Sequence, residues 1–152
     1  MGAQFDSEEV LRLPLMANLA TLCAAGPRNA PVWFLWEDGA LWMPGDAAGS
    51  SVRRLAADPR CAVEIVHYDN EAGILAHLGL RGTGSVEPAC AARFRRLLAK
   101  YLGPDPATWN GWFVANVARI DGPDGRWIHL RPANVFTNNV PYFRTGPTLA
   151  WP

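Results

Sequence analysis

Two apolar runs, Asn29 to Glu37 (NAPVWFLWE) and Ala40 to Met43 (ALWM), meet across the dipeptide Asp38-Gly39. An Asp-Gly joint between such runs is the strongest β-hairpin signal in the sequence. The rest of the chain supplies partners for these two strands. Asn18 to Ala25 reads as a strand that Gly26-Pro27-Arg28 turns into the hairpin. Arg60 to Tyr68 (RCAVEIVHY) reads as another, and the turn Asp69 to Gly73 leads into a long strand from Ile74 to Glu87. Glycines at 79, 82 and 84 inside that long run predict bulges, bends or close backbone approach. A last hairpin is expected from Trp112 to Asp121 and Arg126 to Arg131 around DGPDG. Six or so strands joined as hairpins point to a small closed β-barrel.

Helical signals are fewer. Asp6 with Glu9 three residues on is a variant of the capping box, and the helix it opens should stop near Pro14. Ser50 to Ala57 reads as a helix closed by Asp58-Pro59, and Ala89 to Leu102 as an amphipathic one, with Phe94, Leu97, Leu98 and Tyr101 at helical spacing. Gly103 to Asn110 is a Pro-containing connection. The segment from Pro132 to Pro152, rich in Pro and Asn and carrying Phe136, Tyr142, Phe143 and Trp151, is expected to lie on a surface or on a neighbouring subunit.

With 152 residues the chain is expected to form one domain, 1–152, with a core over 15–135 and a tail over 136–152. Lys and Arg number 14, as do Asp and Glu, so the formal net charge is zero. That balance argues against nucleic acid or an anionic membrane as partner, since both select basic surfaces. No run approaches the ~20 apolar residues of a membrane span. Cys23, Cys61 and Cys90 form no close pair and no zinc spacing, which favours reduced thiols and a cytoplasmic location.

The histidines, His67, His77 and His129, are scattered, and no zinc-protease, dithiol or serine-hydrolase motif is present. No metal site is expected. A chain with so few catalytic groups would take its chemistry from a cofactor. The one loop suited to a ligand is GDAAGSSVRR, Gly45 to Arg54. Small residues there expose backbone N–H groups, Ser50 and Ser51 offer hydroxyls at a helix start, and Arg53 or Arg54 adds charge. Ordinary N-capping by the serines explains the same residues.

The order of these pieces, LATLCAAGPRNAPVWFLWEDGALWMPGDAAGSSVRRLAADPRCAVEI followed by LRGTGSVEP, resembles the flavin-binding split barrels of the pyridoxamine 5'-phosphate oxidase-like superfamily over roughly residues 15–135. The resemblance implies a mainly β fold: a six- to seven-stranded antiparallel split β-barrel with two or three peripheral helices. It implies a homodimer with two FMN molecules in shared sites between the subunits. Pro31, Val32, Trp33 and Phe34 would lay their backbone along the flavin ring, and Met43 and Pro44 would pass near ring and ribityl chain. Ser50 and Ser51 would meet the phosphate, and His77 would reach the flavin. Trp127 and Arg131 would come from the partner subunit. Many members carry Arg and Lys where this chain has Ser50 and Ser51, so Arg54 becomes a candidate to restore the charge. The implied activity is that of a flavin-dependent oxidoreductase acting on a small molecule. The alternatives are non-catalytic binding or sensing of a flavin, a deazaflavin or haem, and a scaffold without cofactor. Pyridoxamine phosphate oxidation itself is disfavoured, because the tail offers only Arg144 to a second phosphate.

Overall fold

The structure, a computed structural model, describes residues 5–120 and 122–139. Asp6 caps helix α1 (Ser7–Arg12) by accepting the Glu8 N–H at 2.9 Å, and α1 buries Val10 and Leu11. Strand β1 (Ala17–Cys23) buries alternate residues, Ala17, Leu19 and Thr21. It returns as β2 (Gly26–Val32), so the turn is Ala24-Ala25, and Gly26-Pro27-Arg28 belongs to the strand instead of the turn.

The single strand expected over Asn29 to Glu37 is broken. β2 ends at Val32, and β3 (Leu35–Glu37) pairs with β4 (Ala40–Asp46) at the other end of the sheet. The cause lies at Phe34, whose backbone is taken by side chains of helix α3 (Ala91–Leu102). Its N–H donates to the Tyr101 hydroxyl at 3.1 Å, and its carbonyl accepts from Lys100 Nζ at 2.9 Å. The β3–β4 turn is as expected: Asp38 and Gly39 have φ of 54° and 71°, both left-handed.

Helix α2 (Ser50–Ala57) follows β4 with the expected bounds, and then come β5 (Arg60–Asp69) and β6 (Ile74–Pro88). The strand order is β2-β1-β5-β6-β7-β4-β3, with every pairing antiparallel and β7 spanning Gly125–Asn139. The fold class expected from the sequence is therefore the one found, with seven strands. β2 and β3 end the sheet without pairing to each other, although only Trp33 and Phe34 separate them in the chain. The barrel is split there.

Two expectations are corrected. The segment read as a strand from Trp112 is helix α4 (Gly111–Ile120). Asn110 starts it, accepting the Trp112 N–H on its side chain at 2.9 Å and the Phe113 N–H on its carbonyl at 3.0 Å. With α4, the described residues contain four α-helices instead of two or three, plus a 3₁₀ turn at Pro106–Thr108. The tail expected from Pro132 onward is strand as far as Asn139, paired to β6. Pro132 falls where the β6–β7 register shifts between Arg81 and Gly82, an irregularity that tolerates a residue without an N–H. The β6 glycines thus mark a bulge, as anticipated. Tyr142, Phe143, Arg144 and Trp151 lie outside the described residues.

The core has two parts. Leu19, Met43, Ile65, Leu78, Leu80 and Leu130 fill the barrel. Trp127, Leu35, Phe94, Leu97 and Leu98 form a second cluster where α3 packs on the other face of β3, β4 and β7. Among the described residues no helix is long and apolar enough to cross a membrane.

Candidate functional site

A cleft of 360 Å³ opens at the split. Pro31 and Val32 of β2, Trp33 and Pro44 of β4 line it. Phe94 and Leu97 of α3 and Trp112, Phe113 and Asn116 of α4 complete the lining. Four residues singled out in the sequence thus meet in one place, although Pro31 to Trp33 and Pro44 lie near opposite ends of the sheet. Phe34 and Met43 also flank this region, but both side chains are fully buried in the barrel core. Phe34 has already committed its backbone to α3.

Trp33 is held from both sides. Its ring stacks on Tyr101 at 4.4 Å, parallel within 1°, and on Phe113 at 5.4 Å and 16°. Tyr101 is itself anchored, because its hydroxyl donates to the Leu15 carbonyl at 2.7 Å. Burial pushes that hydroxyl up to about 12, so it stays protonated. Lys100 beside it donates to the Leu11 and Phe34 carbonyls at 3.0 and 2.9 Å and lies 3.5 Å from the centre of the Phe34 ring. Burial pulls the Lys100 ammonium down to about 7. Further along, Glu37 joins Arg93 and Arg96 of α3 to the β3–β4 hairpin, and the hydrogen bond from Arg96 is the main reason that its carboxyl is lowered.

Ser50 and Ser51 occupy the first turn of α2. Arg54 folds back over that turn: its Nη2 donates to Ser51 Oγ at 3.2 Å and its Nε to Thr21 Oγ1 at 2.7 Å. Thr21, 1% exposed, is the one buried polar residue among those described. Guanidinium and hydroxyl groups therefore converge at the start of α2, an arrangement able to hold an anion.

The remaining candidates lie elsewhere. His77 of β6 bonds to Glu64 of β5 and meets Phe136 edge-on at 5.7 Å, and neither His77 nor Glu64 lines the cleft. Trp127, opposite Pro44 in register, is fully buried within its own chain, and its indole N–H has no partner among the described residues. Arg131 is exposed, with Nη1 close to the Gly39 turn. Phe94, Leu97, Trp112, Phe113 and Asn116 were not anticipated at the site. The four-residue spacing from Trp112 to Asn116 and from Phe113 to Val117, behind an Asn cap, was the available signal for α4.

No protein-family model matches the chain, and no curated protein matches it. Solved structures do. An F420 reductase is 25% identical, with 88% of this chain and 98% of that one covered and a TM-score of 0.66. A pyridoxamine 5'-phosphate oxidase candidate from Listeria innocua is 18% identical over 86% and 93% of the two chains, with a TM-score of 0.61. The fold is that of the pyridoxamine 5'-phosphate oxidase-like split barrels. The haem storage protein HutZ from Vibrio cholerae is 14% identical over 90% and 94%, with a TM-score of 0.63, and shares the same split-barrel fold.

Proposed function

We propose that the protein binds FMN in the cleft at the split of its barrel and acts as a flavin-dependent oxidoreductase on a small molecule. One observation carries this reading: Pro31, Val32, Trp33 and Pro44 converge on an apolar, aromatic cleft able to hold a flat ring. Ser51, Arg54 and Thr21 form the group best suited to a phosphate. Arg54 supplies there a charge-assisted donor that the two serines lack. A bound flavin would supply the hydride chemistry, and the cleft would orient the ring and keep water from it. No acid or base among the described residues lines the cleft, and flavin chemistry demands none. The F420 reductase extends the cofactor class to a deazaflavin.

A second reading, binding without turnover, takes support from the haem storage protein. Haem fits this cleft less well than flavin. Its iron takes an axial His, Cys, Met or Tyr, and none of these lines the cleft among the described residues.

The protein is further proposed to work as a homodimer in the cytoplasm. Val66 and Tyr68 of β5 and Phe136 of β7 are 43%, 59% and 53% exposed and share one sheet face with His77 and Glu64. An apolar face of this kind suits a second copy. The three free thiols accord with a reducing compartment.

The visible spectrum of the purified protein, before and after FMN addition and desalting, tests the reading. Bands near about 370 and about 450 nm that survive desalting support it. A colourless protein that releases FMN overturns it. Turnover with reduced nicotinamide then separates an enzyme from a binding protein.

A further inference from the structure

Helix α4 does more than border the cleft. Trp112, Asn116 and Arg119 follow one another at i, i+4 and i+7, on one face of the helix, over about 10 Å. Trp112 and Asn116 line the apolar cleft. Asn116 and Arg119 line a second chamber of 440 Å³, together with Gly45, Asp46 and Asp124. Both chambers share Asn116, and β4 passes from one to the other at Pro44-Gly45. They form one groove, aromatic at one end and charged at the other.

The charged end is built and, among the described residues, unspent. Ala47 N–H donates to the Asp124 carbonyl at 2.8 Å, tying the end of β4 to the loop before β7. One Asp46 oxygen accepts the Ala48 N–H at 2.8 Å. Among the described residues, neither the Arg119 guanidinium nor the Asp124 carboxylate has a side-chain partner, although both line the same chamber. A lone anion would be drawn to Arg119 and repelled by two carboxylates, and a lone cation would meet the reverse. A group carrying both charges satisfies all three.

We propose that this groove is the substrate subsite, and that it takes a planar aromatic compound with a zwitterionic, amino-acid-like tail. The ring stacks on Trp112, whose side chain is 65% exposed and meets Phe113 edge-on at 4.9 Å, on the α4 side of the cleft. The carboxylate of the tail pairs with Arg119 and its ammonium with Asp124 and the free oxygen of Asp46. The Asn116 side chain donates to the Trp112 carbonyl at 2.7 Å, which leaves its own oxygen to accept from the ligand at the joint. The inference rests on the proposed function, because it leaves the β2 and β4 side of the cleft to the flavin ring.

The test is calorimetric titration of the purified protein with L-tryptophan, tryptamine and indole-3-propionate, which share a ring and differ in the charges of the tail. L-tryptophan should bind about tenfold more tightly than either analogue, as expected for one additional charge-assisted contact. Arg119→Gln should weaken L-tryptophan and indole-3-propionate and leave tryptamine unchanged. Asp124→Asn should weaken L-tryptophan and tryptamine and leave indole-3-propionate unchanged. Both residues are exposed, so neither change threatens folding. Equal affinities, no binding of any probe, or a ranking that either variant leaves intact overturns the proposal. Loss of flavin from Arg119→Gln also overturns it, since Arg119 would then serve the cofactor. If the wild type holds no flavin and the ranking stands, the groove assignment survives and the flavin reading falls.

Discussion

The rings of Trp33 and Tyr101 lie 4.4 Å apart and parallel within 1°. Trp33 belongs to the crossing between the two ends of the sheet, and Tyr101 to the last turn of α3. Their stack ties the one place where the barrel is open to the helix outside it. The Tyr101 hydroxyl accepts the Phe34 N–H and donates to the Leu15 carbonyl, so it also joins the start of β1 to the crossing. A residue that bridges three segments through one oxygen sets the position of the cleft lining more firmly than any loop would.

Tyr101→Phe keeps the stack and removes both hydrogen bonds. It leaves the Phe34 N–H and the Leu15 carbonyl without this partner, and the expected cost is about 1–3 kcal/mol in denaturant unfolding. Flavin affinity should fall with it, because Trp33 loses its fixed support. Unchanged stability would mean that the hydroxyl contributes nothing to the crossing.

The anion group at α2 separates charge from hydroxyl. Ser50→Ala with Ser51→Ala should weaken FMN binding about tenfold, and Arg54→Gln should weaken it further, since charge-assisted bonds are stronger than neutral ones. Riboflavin, which lacks the phosphate, should lose nothing in either variant. Fluorescence titration of both ligands measures the difference. Equal losses for FMN and riboflavin would place the phosphate elsewhere.

Lys100 makes stability depend on pH. Its ammonium is pulled from the ordinary 10.5 to about 7 by burial. Between those values the unfolded chain holds a proton that the folded chain has released, so stability rises as pH rises from about 7 toward 10.5. Below about 7 both states are protonated, and folding carries the cost of burying the charge. Urea unfolding at a series of pH values from about 6 to about 10 should show this rise, and Lys100→Met should abolish it. A wild-type profile flat over that range would place the ammonium in a better-solvated setting than the structure shows.

How much of this was legible in the sequence depends on the range of the interactions. Asp38-Gly39, the Ser50 to Ala57 helix and the glycines of β6 are local signals, and each matched the structure. The break at Trp33-Phe34 was invisible, because it is imposed by Lys100 and Tyr101, 66 and 67 residues further along the chain. Helix α4 was mistaken for a strand because Trp112, Phe113 and Val114 form an apolar run that suits either element. Asn110 and the four-residue repeat decide between them. Pro31 to Trp33 and Pro44 were found as candidates, whereas the helical half of the cleft was missed along with α4. The closing of Arg54 over Ser51 was anticipated only as one of two options, since the side-chain direction depends on Thr21 from a distant strand.

The exposed sheet face gives the last prediction. Gly79 pairs with both Glu64 and Phe136, and Val66 pairs with His77, so Val66 and Phe136 flank the Glu64–His77 pair on one face. Glu64 and His77 bond to each other between them, whereas a carboxylate at each flank would oppose burial against a second copy. Val66→Asp with Phe136→Asp should therefore run as a monomer in size-exclusion chromatography. The barrel should stay folded, because both side chains point away from the core. If the flavin site is shared between subunits, this monomer should also release FMN on desalting. A monomer that retains FMN fully would confine the site to one chain, and a variant that stays dimeric would move the interface to another face.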